Sequence, residues 1–219
     1  MTALPLHPQI EELYAAFGPE PKPATIEACR CCLDDKEVRE LVRTPLREIH
    51  PDLLRRYAGK VFLTVGSNAD FRYFLPRILE VSLTYSSWLV DRELVGRSIG
   101  SHGWSEFNEA QQLALEQTAQ VGFKTLLRQV NGGEDESSAS DLDSWLCCAS
   151  HFFNAWSEWL KEIEERPTVL RLLYEYHSSS LASGRLCNGF WHDSPRKTEF
   201  LAWFLDLQDR GEILKCYGL

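Results

Sequence analysis

Between Ser140 and Arg166, Leu142, Trp145, Leu146, Ala149, Phe152, Phe153, Trp156, Trp159, Leu160 and Ile163 recur at steps of three and four. That spacing predicts one helix over the stretch. At about 100° per residue these side chains share one arc of about 140°. The small residues Ser144, Cys147, Cys148, Ser150 and Ala155 predict a second, narrower face, as on a central helix packed on two sides.

The same pattern, read with its breakers, places the other helices. Ile10, Leu13, Tyr14 and Phe17 predict a short first helix ending at Gly18-Pro19. The PEPKP segment around it is a stiff connector, because each proline fixes φ and disfavours helix before it. Asp34 or Asp35 caps a helix carrying Val38, Leu41 and Val42, which Pro45 ends. Pro51 suits the first turn of the next, predicted to close near Gly66. Asp70 opens another through Pro76, which either kinks one helix or starts a second. Residues 96–104 read as a glycine-rich turn, and Ser105 as the N-cap of a long helix to about Val130. Asn131-Gly132-Gly133 ends it, and a polar acidic loop is expected around 132–140. Pro167 starts a helix with Val169, Leu170, Leu173 and Tyr176 inward; Ser194-Pro195 starts one carrying Phe200, Leu201, Phe204 and Leu207. No strand alternation is convincing. The expectation is an all-α, single-domain array of about eight or nine helices over residues 1–219. Its short connections are compatible with α-solenoid-like pairing, although no motif repeats at a fixed period.

With 219 residues, the chain can bury a core without disulfides or metals. The N-terminal MTALPLHPQIEELYAAFG lacks a basic region followed by an apolar one, and no apolar run approaches the ~18 to 20 residues of a membrane span. Seven cysteines, an odd number with two adjacent pairs, read as reduced thiols of a cytoplasmic protein. The net charge of −9 is uneven: 17 acids against 15 bases over residues 1–130, then 15 against 8 over 131–219. That balance excludes a phosphate-backbone binder and permits a basic protein partner.

Candidate chemistry is sparse. Cys147 and His151, four apart on a helix, have a spacing that one metal ion can use, and Cys148 lies between them. Cys29, Cys31 and Cys32 offer further ligands, but Cys-x-Cys-Cys lacks the Cys-x₂₋₄-Cys spacing of a structural zinc knuckle. The first reading of these cysteines is structural, with no metal or cofactor; the alternative is a thiol or zinc site built from both clusters. Gly96-Arg97-Ser98-Ile99-Gly100 matches G-x-S-x-G without the strand-to-helix context that exposes a nucleophile. His192-Asp193-Ser194 are consecutive and cannot converge as a triad. No phosphate-binding glycine motif is present. Glu158, Glu162, Glu164 and Glu165 read as a solvated face, and Arg77 with Glu80 as an i,i+3 pair.

Several fragments occur together: Cys29-Arg30-Cys31-Cys32; Thr44-Pro45-Leu46-Arg47-Glu48; Leu54 and Tyr57; Thr64-Val65-Gly66; the block from Asp70 to Glu80; His102-Gly103-Trp104; Glu109; and Asn188-Gly189-Phe190-Trp191. This pattern resembles a family of uncharacterised, single-domain helical bacterial proteins. The resemblance implies a bacterial, cytoplasmic helical protein and lends no catalytic residues. In physical terms Tyr57, Phe71, Phe74, Leu75, Ile78 and Leu79 would form a core seam, Gly66 and Gly103 would serve turns, and Trp104 would staple the helix after it.

The functional expectation is a non-enzymatic, protein-binding module, specifically an immunity-type inhibitor that neutralises a bacterial toxin by occluding it. Glu134, Asp135, Glu136, Asp141 and Asp143, five acids without an intervening base, would meet the basic surface of that partner. Neither nucleic acid nor membrane is expected as a partner.

Overall fold

Caps and prolines set several helix boundaries in the computed structural model, which describes residues 7–84, 91–132 and 136–218. Among those residues the chain is all-α, with α1 (His7–Phe17), α2 (Asp35–Arg43), α3 (Pro51–Ala58), α4 (Asn68–Thr84), α5 (Arg92–His102) and α6 (Glu109–Gly132). Then follow α7 (Glu136–Ser150), α8 (Trp156–Glu164), α9 (Pro167–Leu181), α10 (Lys197–Asp209) and α11 (Glu212–Lys215). Extended pairing among the described residues is limited to two isolated bridges, Ala28 with Val65 and Val61 with Val65. No described helix is long and apolar enough to cross a membrane.

Eleven helices exceed the expected eight or nine for identifiable reasons. The supposed glycine-rich turn at 96–104 is mostly α5: Val95, Ile99 and His102 are buried at helical steps, which offsets the cost of about 1 kcal/mol for each glycine. Ser98 therefore lies inside a helix, where its Oγ donates to the Leu94 carbonyl 2.8 Å away, and no nucleophile elbow exists. The predicted helix over 140–166 breaks between Ser150 and Trp156. In one straight helix Trp156 would stand about 15 Å along the axis from Leu146. The break lets the Trp156 indole N–H donate to the Leu146 carbonyl at 2.8 Å. Of the acidic loop expected at 132–140, Gly132 belongs to α6 and residues 136–140 to α7, while residues 133–135 lie outside the described residues. Ala139 explains the early start: it is fully buried and extends the Leu142–Leu146 stripe backwards.

Other boundaries shift by local chemistry. Asp34 caps α2 in a reciprocal box with Glu37, as Asp34 Oδ1 accepts the Glu37 N–H while Glu37 accepts the Asp34 N–H. Asp70 is the third residue of α4 rather than its cap; it exchanges bonds with Ser67 in the same way. Ser105 lies in a 3₁₀ turn, and Asn108 with Gln111 boxes the start of α6 instead. α3 ends at Ala58, not near Gly66. α4 is continuous through Pro76.

The chain packs as two units, 1–118 and 119–219, with the boundary inside α6. In the first, α4 packs on α1, α3 and α5. The expected seam of Tyr57, Phe71, Phe74, Leu75, Ile78 and Leu79 is buried throughout. Arg77 crosses this core in an ion-paired, hydrogen-bonded state: Nη1 donates to Glu80 at 2.7 Å, while Nε and Nη2 donate to the Ile49 carbonyl. The Tyr14 hydroxyl donates to the same Glu80 oxygen at 2.6 Å. In the second unit α9 packs on α7, α8 and α11. Gly122 meets the Trp145 ring so closely that a Cβ there would lie 2.6 Å from it.

His102 is a buried polar group of the first core. It is 5% exposed, rings of Phe107, Phe71 and Phe62 surround it, and neither of its nitrogens has a hydrogen-bond partner. Burial lowers its pKa below the usual 6.5, the Arg72 charge lowers it further, and Glu106 and Glu20 only partly oppose this. The unfolded chain therefore binds the proton more readily, and stability must fall as pH drops through about 6.5 toward the folded value. Urea unfolding of the wild type and His102→Leu between about pH 7.5 and about pH 5.5 checks this. The variant should lose less stability over that interval; equal losses would contradict the assignment.

Candidate functional site

The thiol cluster is built by a turn with buried anchors. Ile26 and Leu33 are buried, which leaves the chain between them looping at the surface. The Cys29 carbonyl accepts from both Cys32 N–H at 2.8 Å and Leu33 N–H at 3.0 Å, so the turn curls on itself. Two further backbone bonds tie it to the segment after α3: Cys29 N–H donates to Thr64 at 3.0 Å, and Gly66 N–H to Glu27 at 2.7 Å. Gly66 has φ of +76°, and a Cβ on it would meet the Tyr57 ring and hydroxyl at 2.9 Å. Only glycine meets both constraints.

This curl brings Cys29, Cys31 and Cys32 Sγ within 4.8 Å of one another. Cys29 and Cys31 Sγ are 2.8 Å apart, and Cys31 and Cys32 Sγ 3.8 Å. Thr64 Oγ1 donates to Cys32 Sγ at 3.1 Å, and Arg56 donates to the Cys32 carbonyl. Cys29 and Cys31 are exposed and Cys32 is half-buried. Hydrogen bonding with Cys31 holds the Cys29 thiol below its ordinary pKa, and the same contact pushes Cys31 up to about 11. Among the described residues this is the one group of three or more metal-ligating side chains so closely gathered. The Cys-x-Cys-Cys spacing, unlike that of a zinc knuckle, still converges because the turn is tight.

The second predicted half behaves differently. Cys147 and Cys148 are fully buried on α7, on the close-packing face expected from the small residues, and Ser150 joins them at 3% exposure. His151 follows in the turn after α7. Cys147, Cys148 and His151 do not gather as a ligand set. His192 is exposed beside Asp193 in a 3₁₀ turn, while Ser194 Oγ bonds Ser150 Oγ at 2.7 Å and accepts the Arg196 N–H.

The acidic residues divide. Glu134 and Asp135 lie outside the described residues, Glu136 begins α7, and Asp141 is exposed. Asp143 was expected at a partner surface and is instead fully buried. Its Oδ1 accepts from Trp191 Nε1 and His177 Nε2, each at 2.8 Å, and its Oδ2 from Asn188 Nδ2 at 2.8 Å. His177 Nδ1 accepts the Cys187 backbone N–H at 3.0 Å, so that nitrogen carries no proton and the Nε2 tautomer donates to Asp143. Every polar atom of this pair is satisfied, and the network is a structural junction of α7, α9 and the Gly189–Asp193 turn. Sequence reading missed it, although Asp143 stands four residues before Cys147 and so shares the close-packing face. Glu162 and Glu164, expected on a solvated face, are half-buried: Glu162 pairs with Lys124 and Arg166, and Glu164 with Trp203 and Arg210.

Comparison with protein-family models, with curated proteins and with solved structures finds no match.

Asp143→Ala strands three donors aimed at one buried point, and each unsatisfied donor costs about 1–3 kcal/mol. A loss of at least about 3 kcal/mol is expected in chemical unfolding, against under about 0.5 kcal/mol for Asp141→Ala at the surface. Similar, small losses for both would contradict the burial.

Proposed function

We propose that the protein binds one soft metal ion, Zn²⁺ in the first instance, through the thiolates of Cys29, Cys31 and Cys32. The observation that carries this reading is the convergence of three sulfur atoms within 4.8 Å on an accessible turn. Thiolates prefer soft or borderline metals over Mg²⁺ or Ca²⁺, which take oxygen ligands. Three protein ligands leave the fourth tetrahedral position to solvent or to a donor on another molecule, as in zinc sites that exchange ligands rather than in closed structural ones. The Thr64 hydroxyl donates to Cys32 Sγ, the role an outer-shell donor plays in orienting a ligand.

Cys147 and Cys148 have no part in this site, and their burial fits a packing role. The other reading, a non-enzymatic module that occludes a basic partner such as a toxin, keeps the net charge of −9 as its support. With Asp143 buried, no constellation of side chains among the described residues carries it.

Competition between the reduced protein and a chromophoric chelator tests the proposal. The wild type should take up one equivalent of Zn²⁺, and the triple variant Cys29→Ser/Cys31→Ser/Cys32→Ser none. Cys147→Ala should retain the full equivalent. Thr64→Val should weaken binding by about 10-fold or more, the usual effect of removing an outer-shell partner. Zinc uptake by the triple variant, or its loss in Cys147→Ala with the fold intact, would overturn the assignment.

A further inference from the structure

Cys29 and Cys31 have a second chemistry open to them. Their sulfurs, 2.8 Å apart, are closer than non-bonded sulfur atoms ordinarily rest. Both side chains are exposed, so a small molecule can approach either one. Cys32 is differently placed: it is half-buried, its sulfur accepts from Thr64, and it stands 3.8 Å from Cys31 Sγ. As sequence neighbours, Cys31 and Cys32 could bridge only by distorting the peptide bond between them. Cys147 and Cys148 are out of reach in a packed core.

We propose that Cys29 and Cys31 form a reversible disulfide by exchange with a small-molecule disulfide. The Cys29 thiolate attacks one sulfur of that molecule, whose S–S bond breaks; a mixed disulfide forms and the first small thiolate leaves. Cys31, deprotonated, then attacks Cys29 Sγ; the mixed disulfide breaks and the second small thiolate leaves. The two departing thiolates take up two protons. The protein pair is oxidised by two electrons, and the small disulfide is reduced by the same two. An exposed bridge of this kind belongs to the readily reduced, regulatory class rather than to structural disulfides.

The consequence for metal rests on the three-thiolate reading, whereas the bridge itself does not. Closure consumes two of the three ligands and leaves Cys32 alone, so the ion is released as the bridge forms. Oxidation state would then set whether this turn holds metal.

Metal-free, reduced protein comprising all 219 residues, treated with oxidised glutathione, gives the direct test. Arg30 lies between the two cysteines, so tryptic cleavage after it separates them unless a bridge joins the fragments. The expected product lacks two hydrogens, carries no glutathione at this site, and yields the joined fragments until a dithiol reductant is added. Cys32→Ser should give the same joined fragments, and Cys31→Ser should stop as a stable glutathione adduct on Cys29. A stable adduct in the wild type, or joined fragments that disappear in Cys32→Ser, would overturn the proposal. In a parallel sample preloaded with Zn²⁺, one equivalent should be released per bridge. A bridge in protein that never binds zinc supports the exchange and removes the metal reading; zinc bound through the three thiols with no bridge formed does the reverse.

Discussion

Two backbone hydrogen bonds, Cys29 N–H to Thr64 and Gly66 N–H to Glu27, hold the turn on which the candidate site depends. They are possible because Gly66 adopts a positive φ directly against the Tyr57 ring. Tyr57 is itself fixed by the seam of α4, its ring centroid 4.7 Å from that of Phe74. The line of cause therefore runs from a buried aromatic core, through one glycine, to a pinned strand-like contact and then to three sulfurs at the surface. The cysteines need no strand and no helix of their own. Pre-positioning would limit the entropy lost on binding the proposed metal ion, since the backbone that carries them is already ordered.

The second unit solves a different problem. Asp143 is a carboxylate with no cation among its hydrogen-bond partners, yet it is fully buried. Three N–H donors replace the water it gives up, and the tautomer of His177 is set by a backbone N–H on the ring's far side. Every side-chain polar atom of this buried Asp–His pair has a partner within the network, and the pair helps hold the second unit together. The network ties α7 and α9 to the Gly189–Asp193 turn, and Trp156 of α8 and Phe200 of α10 pack their rings on Trp191 of the same turn.

How far the sequence could be read follows from whether a signal is local. The caps of α2 and the N1 prolines of α3 and α9 were legible because each depends on a few adjacent residues. The apolar stripe from Leu142 to Ile163 correctly named buried residues but not the break at residues 151–155, because a stripe records which side chains are buried and not whether the axis is continuous. Gly96 and Gly100 suggested a turn, and burial of their neighbours overrode propensity. Cys29, Cys31 and Cys32 stand out in the sequence, but their convergence depends on Thr64 and Gly66, more than thirty residues away. Charge alone points Asp143 to the surface; its donors at His177, Asn188 and Trp191 leave no local pattern around it.

X-ray absorption at the zinc edge, recorded on protein loaded with one equivalent of Zn²⁺, tests the central claim most directly. Three sulfur neighbours at about 2.3 Å and one oxygen at about 2.0 Å are predicted, with the sulfur shell lost in the triple serine variant. A shell dominated by nitrogen and oxygen, or a sulfur shell that survives in that variant, would contradict a site made of Cys29, Cys31 and Cys32.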